Sequence, residues 1–73
     1  MIYREIEIRR HAFVRAMEQG IGPDKIEAAL KGGLIRYFGE NYIKFIKQYK
    51  QHTIICIGIM CGMKIKIITI EKK

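Results

Sequence analysis

The chain reads as an α+β domain, and three observations carry that reading. Apolar residues recur at helical spacing over residues 10–19 and again over 23–33. From residue 34 the period falls to two, through "LIRYF", "YIKFIKQYK", "TIICIGIM" and "MKIKIITI". Ahead of both, residues 4–8 alternate as "REIEI", with Ile6 and Ile8 on one side. The expected order is a short N-terminal strand, two helices, then a three- or four-stranded antiparallel sheet with the helices on one face. The 73 residues make one domain, 1–73. A chain this short buries only about 60 % of the surface its unfolded form exposes, so its core is thin.

Each element has a local cause. In the first helix Phe13, Ala16, Met17 and then Gly20/Ile21 form the apolar stripe. His11, Arg15, Glu18 and Gln19 take the opposite side, with His11 and Arg15 as i, i+4 neighbours. Gly20 supplies the stop. The second helix, in "GPDKIEAALKGG", has Gly22 as a weak cap and Pro23 at its first position. Asp24 and Glu27 suit the positive end of its dipole, and Ile26, Ala29 and Leu30 form its buried stripe. Gly32 and Gly33 end it.

The sheet half predicts two hairpins. Gln51-His52 and Cys61-Gly62 are the expected turn pairs, and the strand over 53–60, apolar on both faces, is expected to be central. Two-residue loops would pair 50 with 53 and 60 with 63. That register places Lys44, Ile46, Ile55, Ile57, Ile59, Lys64 and Lys66 on one face. It places Ile43, Phe45, Ile54, Cys56, Ile65, Ile67 and Thr69 on the other, toward the helices. The first face is an isoleucine floor rimmed by lysine, the form of a binding surface or a dimer interface.

Composition narrows the function. The formal net charge of +7 is uneven. Residues 1–40 hold seven Lys/Arg against six acids; residues 41–73 hold seven Lys against Glu71 alone. A positive field of this kind favours RNA, DNA or an acidic partner; plain solubilising lysine at sheet edges is the bland alternative. Cys56 and Cys61 lie an odd number apart in one strand, so they point to opposite faces and form no disulfide. Two free thiols fit a cytoplasmic location. "MIYREIEIRR" has no apolar run after its charges, hence no signal peptide is expected. "TIICIGIMCGM" is too short to span a bilayer, and no membrane partner is expected. No P-loop or dinucleotide fingerprint appears, and the chain contains no serine for a Ser-His-Asp triad. His11, His52, Cys56 and Cys61 match no zinc spacing, so no metal or other cofactor is expected.

The order His11-Ala12-x-x-Arg15, Gly20-Ile21, then Asp24-x-Ile26-x-x-Ala29-Leu30-x-Gly32 resembles a small domain family of unknown function. That family opens with an HAxxR helix and is grouped with RelE-like and BrnT-like toxins, which are metal-independent ribonucleases. The match covers residues 11–33 closely; the strands match in pattern only. Two positions depart from it. Arg9 and Arg10 stand where the family has a Ser or Thr cap, a loss of roughly 1 kcal/mol. Gln19 stands where the family often has Arg. The resemblance implies a RelE-like fold, RNA as ligand and a cognate antitoxin as partner.

Metal-free RNA cleavage needs a base for the 2′-OH, an acid for the leaving oxygen and cations for the phosphorane. His11 is the candidate proton carrier, since a histidine titrates near neutrality without help. Arg15 is the candidate phosphate ligand. Lys44, Lys64 and Lys66 are the candidate RNA-binding floor, with Arg36 and Tyr42 at its margin. Tyr37, Tyr42 and Tyr49 are candidate base-stacking surfaces, with at least one of Tyr37 and Tyr49 expected in the core. The alternatives stay open: His11 bonded to the preceding strand, Arg15 paired with Glu18, and His52 only a hairpin tip. A non-catalytic RNA-binding or interaction module, or a homodimer built on the isoleucine face, is the other class of function.

Overall fold

In the computed structural model, residues 5–73 are described. The elements run β1 (Glu5–Ile8), α1 (Arg10–Glu18), α2 (Pro23–Gly32), β2 (Leu34–Phe38), β3 (Tyr42–Gln48), β4 (Thr53–Cys61) and β5 (Lys64–Lys72). They form one five-stranded sheet in the order β1-β5-β4-β3-β2. β4 is central, as its two apolar faces require. Arg4, the first residue of the expected "REIEI" strand, lies outside the described residues.

The sheet corrects the expected one. It has five strands, not three or four, and it is mixed: β1 lies parallel to β5, pairing Glu5–Ile8 with Lys64–Ile67. The other neighbours are antiparallel. The β1–β5 pairing joins the two ends of the chain, and no local pattern announces so distant a contact.

Both hairpin registers also move by two residues. Gln48 pairs with Thr53, so residues 49–52 form a four-residue loop, closed by the Tyr49 N–H donating to the His52 carbonyl at 2.8 Å. The second turn is Gly62-Met63, with Cys61 opposite Lys64 and Gly62 at φ +62°. A shift of two preserves the faces. Ile43, Phe45, Ile54, Cys56, Ile65 and Ile67 are all buried beneath the helices, as expected.

One position breaks the alternation. Gly58 pairs with Ile67 but Ile57 pairs with Thr69, which leaves Ile68 as the extra residue of a bulge. Past it, Ile70 turns into the core opposite Cys56. Thr69 lands opposite Ile57 on the open face, not toward the helices.

α1 packs on β5, and α2 packs on β3 and β4. α1 docks through Ala12 and Ala16 rather than through Phe13 and Met17, which stay 38 % and 37 % exposed. Small residues let the helix axis approach the sheet, so the contact line runs beside the most hydrophobic stripe. α1 ends in a Schellman turn: Ile21 N–H donates to the Ala16 carbonyl (2.9 Å), Gly20 N–H to the Met17 carbonyl (3.0 Å), and Gly20 takes φ +79°. α2 ends where Gly33 presses against β3. A Cβ there would lie 2.5 Å from the Ala29 carbonyl oxygen and 2.8 Å from that of Ile46.

Candidate functional site

The two residues singled out on α1 lie beside an open sheet edge. β1 covers β5 only as far as Ile67, where the Arg9 N–H donates to the Ile67 carbonyl at 3.0 Å and the chain enters α1. Arg9 makes no side-chain cap bond, consistent with its lack of a short acceptor. With Ala12 and Ala16 seated on the sheet, the flank bearing His11, Arg15 and Gln19 faces the β5 edge beyond Ile67. A cleft of about 190 Å³ lies between them, lined by His11, Ala12, Arg15 and Gln19 from α1 and by Ile68–Glu71 from β5.

Gln19 fastens the two walls. Its side-chain amide donates to the Ile70 carbonyl and to the Arg15 carbonyl, both at 3.3 Å. The first bond satisfies an edge carbonyl that β1 does not reach. An arginine there, as in the resembling family, would bring charge; Gln19 contributes a brace.

The cleft therefore gathers an imidazole and a guanidinium from α1 against the uncovered edge of β5, whose Thr69 and Glu71 side chains leave the strand on the open face, opposite Ile57 and Ile55. The imidazole and guanidinium are a pair able to exchange protons and hold an anion. The sequence pointed to His11 and Arg15 but not to the wall that faces them, Ile68–Glu71 of β5. That wall depends on the bulge, which sequence alternation does not display.

The expected basic floor exists as a face but is not uniformly basic. Arg36, Tyr42, Lys44, Lys64 and Lys66 all lie on the sheet face away from the helices, around Ile46, Ile55, Ile57 and Ile59. β1 brings Glu5 and Glu7 onto the same face. Lys64 Nζ donates to Glu7 at 3.3 Å and lies 3.7 Å from Glu5. The hydrogen bond to Glu7, then the charges of Glu5 and Glu7, push the Lys64 pKa up. Lys66 pairs in register with Glu7.

The β2–β3 side is different. Lys44 Nζ stands 5.0 Å from the centre of the Phe38 ring, and Phe38 stacks on Tyr42 at 5.2 Å and 22°. Arg36 is the cross-strand neighbour of Lys44. This basic and aromatic patch is the part of the floor free of acidic partners among the described ion pairs. Lys44 lies on β3, two strands from the cleft on β5, and Lys64 and Lys66 project from the face of β5 opposite α1, so the structure does not bring the floor's cations next to His11 and Arg15.

The other tyrosines separate. Tyr37 is 69 % exposed, whereas Tyr49 packs against the core and tilts over His52 at 5.1 Å. Cys56 is buried, and burial pushes its thiol up to about 11; Cys61 is exposed on the open face, and both are free.

A larger apolar groove of about 1100 Å³ runs between the helices over the far part of the sheet. Ile6, Phe13, Leu30, Ile35, Tyr37 and Met63 are among its walls. Among the described residues no group of three or more His, Cys, Asp or Glu could hold a metal ion. Among them, too, no helix is long and apolar enough to cross a membrane. No family model matches the chain, and no curated protein or solved structure matches it either.

Proposed function

We propose that this chain is an RNA-cleaving domain that works without metal, the toxin of a toxin–antitoxin pair, with the α1–β5 cleft as its active site. The observation that supports it is the placing of His11 and Arg15 together in a cleft over the uncovered, bulged edge of β5 at Ile68–Glu71. In this reading Arg15 holds the scissile phosphate with its planar fork. His11 takes the 2′-OH proton, which prepares attack on phosphorus, and returns a proton to the leaving 5′ oxygen. Arg36, Phe38, Tyr42 and Lys44 guide the rest of the strand, the lysine by charge and the rings by stacking. The test is RNA incubated with pure protein in EDTA. Cleavage lost in His11→Ala and Arg15→Ala supports the assignment; equal cleavage by all three proteins refutes it.

A second reading is a non-catalytic module that pairs with a second copy of itself. The exposed edge strand β2 favours it. All five of its residues are exposed, Leu34 at 56 % and Tyr37 at 69 % among them, and an open apolar edge of that kind is a template for strand pairing. Sedimentation distinguishes the two. A dimer that Ile35→Lys dissolves, with no cleavage of RNA, favours the module.

A further inference from the structure

We infer that the end of the sheet around the β3–β4 loop is a separate contact for the phosphodiester backbone of single-stranded RNA, formed by Lys25, Lys47, Lys50 and Lys72 around His52. The choice of ligand rests on the RNA reading above; the surface does not depend on the cleft's chemistry.

Four elements deliver these cations to one place. Lys47 and Lys72 flank Ile54 in a single cross-strand row. They sit two strands apart, about 10 Å at the usual strand spacing. Lys50 is exposed in the 49–52 loop. Lys25, on the first turn of α2, places Nζ 3.2 Å from His52 Nε2 and 5.5 Å from the Tyr49 ring centre. An ammonium only donates, so His52 accepts through Nε2. The paired bonds between Thr53 and Lys73 (Thr53 N–H to Lys73 carbonyl 2.8 Å, the reverse 2.9 Å) clasp the strand end and hold Lys72 in register.

Among the described residues these charges form no ion pair. The ion pairs among the described residues join Glu27 to Lys31 and Glu5 and Glu7 to Lys64, all elsewhere. The acids next to them in sequence are Asp24, exposed beside Lys25, and Glu71, on the opposite face from Lys72. His52 senses the resulting field: desolvation, then the charges of Lys25 and Lys72, lower its pKa. Like charges held together repel, and a polyanion relieves the repulsion. Point charges spread over a loop, two strands and a helix suit a row of phosphates better than a single small anion. β5 also runs from the cleft at Ile68–Glu71 directly to Lys72, so one bound strand reaches both.

The experiment measures binding of a short fluorescein-labelled oligouridine in EDTA, by anisotropy, between roughly 50 and 200 mM salt. The proteins are wild type, Lys47→Gln/Lys50→Gln/Lys72→Gln, and the matching triple Lys→Arg variant; circular dichroism checks their fold. Three lost phosphate contacts lower the slope of log K against log salt by about 2. The triple Gln variant is expected to show that loss and the Arg variant to keep the wild-type slope. An unchanged slope in the Gln variant, or no binding by wild type, overturns the inference. Cleavage of a longer RNA is scored in parallel. Binding through these lysines with no cleavage would sink the ribonuclease reading alone; cleavage with an unchanged slope would sink the docking surface alone.

Discussion

Two adjacent glycines at the end of α2 are expected to respond with opposite sign to the same added methyl group. Gly32 and Gly33 both have ordinary backbone angles, so neither needs glycine for its φ. At Gly32 a Cβ meets nothing within 4 Å. Gly32→Ala therefore keeps the native contacts and narrows the unfolded ensemble, a gain of about 0.4–1 kcal/mol. At Gly33 the new Cβ would stand 2.5 Å from the Ala29 oxygen and 2.8 Å from the Ile46 oxygen. Both are backbone atoms, one on the last turn of α2 and one on β3, and neither can rotate away. The Gly33 N–H also donates to that Ala29 carbonyl at 3.0 Å, so relief by moving the helix end strains a hydrogen bond. Overpacking of this kind costs about 1–3 kcal/mol, against which the unfolded-state gain offsets less than 1 kcal/mol. The net loss is about 1–2 kcal/mol, a fall in Tm of roughly 4–16 °C for a domain of this size. Urea titration followed by far-ultraviolet circular dichroism reads both variants at unchanged m. A Gly33→Ala midpoint equal to or above wild type would refute the close approach of α2 to β3.

The thiols should divide: a neutral alkylating reagent modifies Cys61 in the folded protein and reaches Cys56 only after denaturant is added, as mass spectrometry of the two peptides would show. Ile67→Ala, which empties a fully buried position on β5, should cost about 2–5 kcal/mol by urea titration; a cost under about 1 kcal/mol would contradict its place in the core. His52 has a lowered pKa, so its contribution to stability is complete above its ordinary pKa near 6.5 and falls as pH drops toward the folded value. The urea midpoint of wild type should therefore decline more steeply than that of His52→Gln between pH 7.5 and roughly 5; parallel curves would rule out the Lys25–His52 contact.

How much of this was legible in the sequence depends on the range of the interaction. Helix boundaries are local matters, and Gly20, Pro23 and the Gly32–Gly33 pair mark them where the structure has them. Sheet faces follow from parity, so Ile54, Cys56, Ile65 and Ile67 are core even though both hairpin registers slip by two. The four-residue loop is hidden because Tyr49 and Lys50 look like strand residues; only the Tyr49–His52 backbone bond takes them out of it. The docking line of α1 is hidden because hydrophobicity ranks Phe13 and Met17 above Ala12 and Ala16, while close approach to the sheet selects the alanines.

The candidate site was half legible for the same reason. His11 and Arg15 are a local pair on one helix. The uncovered β5 edge that faces them depends on a bulge at Ile68 and on where β1 stops, both of which are tertiary. The lysine floor was read from strand parity and charge. Glu5 and Glu7 reach it only because β1 pairs with β5 across the whole length of the chain, which shifts the basic character toward Arg36 and Lys44.

The proposed function requires that the α1–β5 cleft cleave RNA with its own side chains. The most direct measurement is single-turnover cleavage of an end-labelled RNA in EDTA by wild type, His11→Ala and Arg15→Ala, each first shown to be folded. Wild type is expected to cleave, and His11→Ala to lose about 100-fold or more, the usual scale for a general acid–base group. Intact RNA with wild type, or undiminished cleavage by His11→Ala, would contradict it.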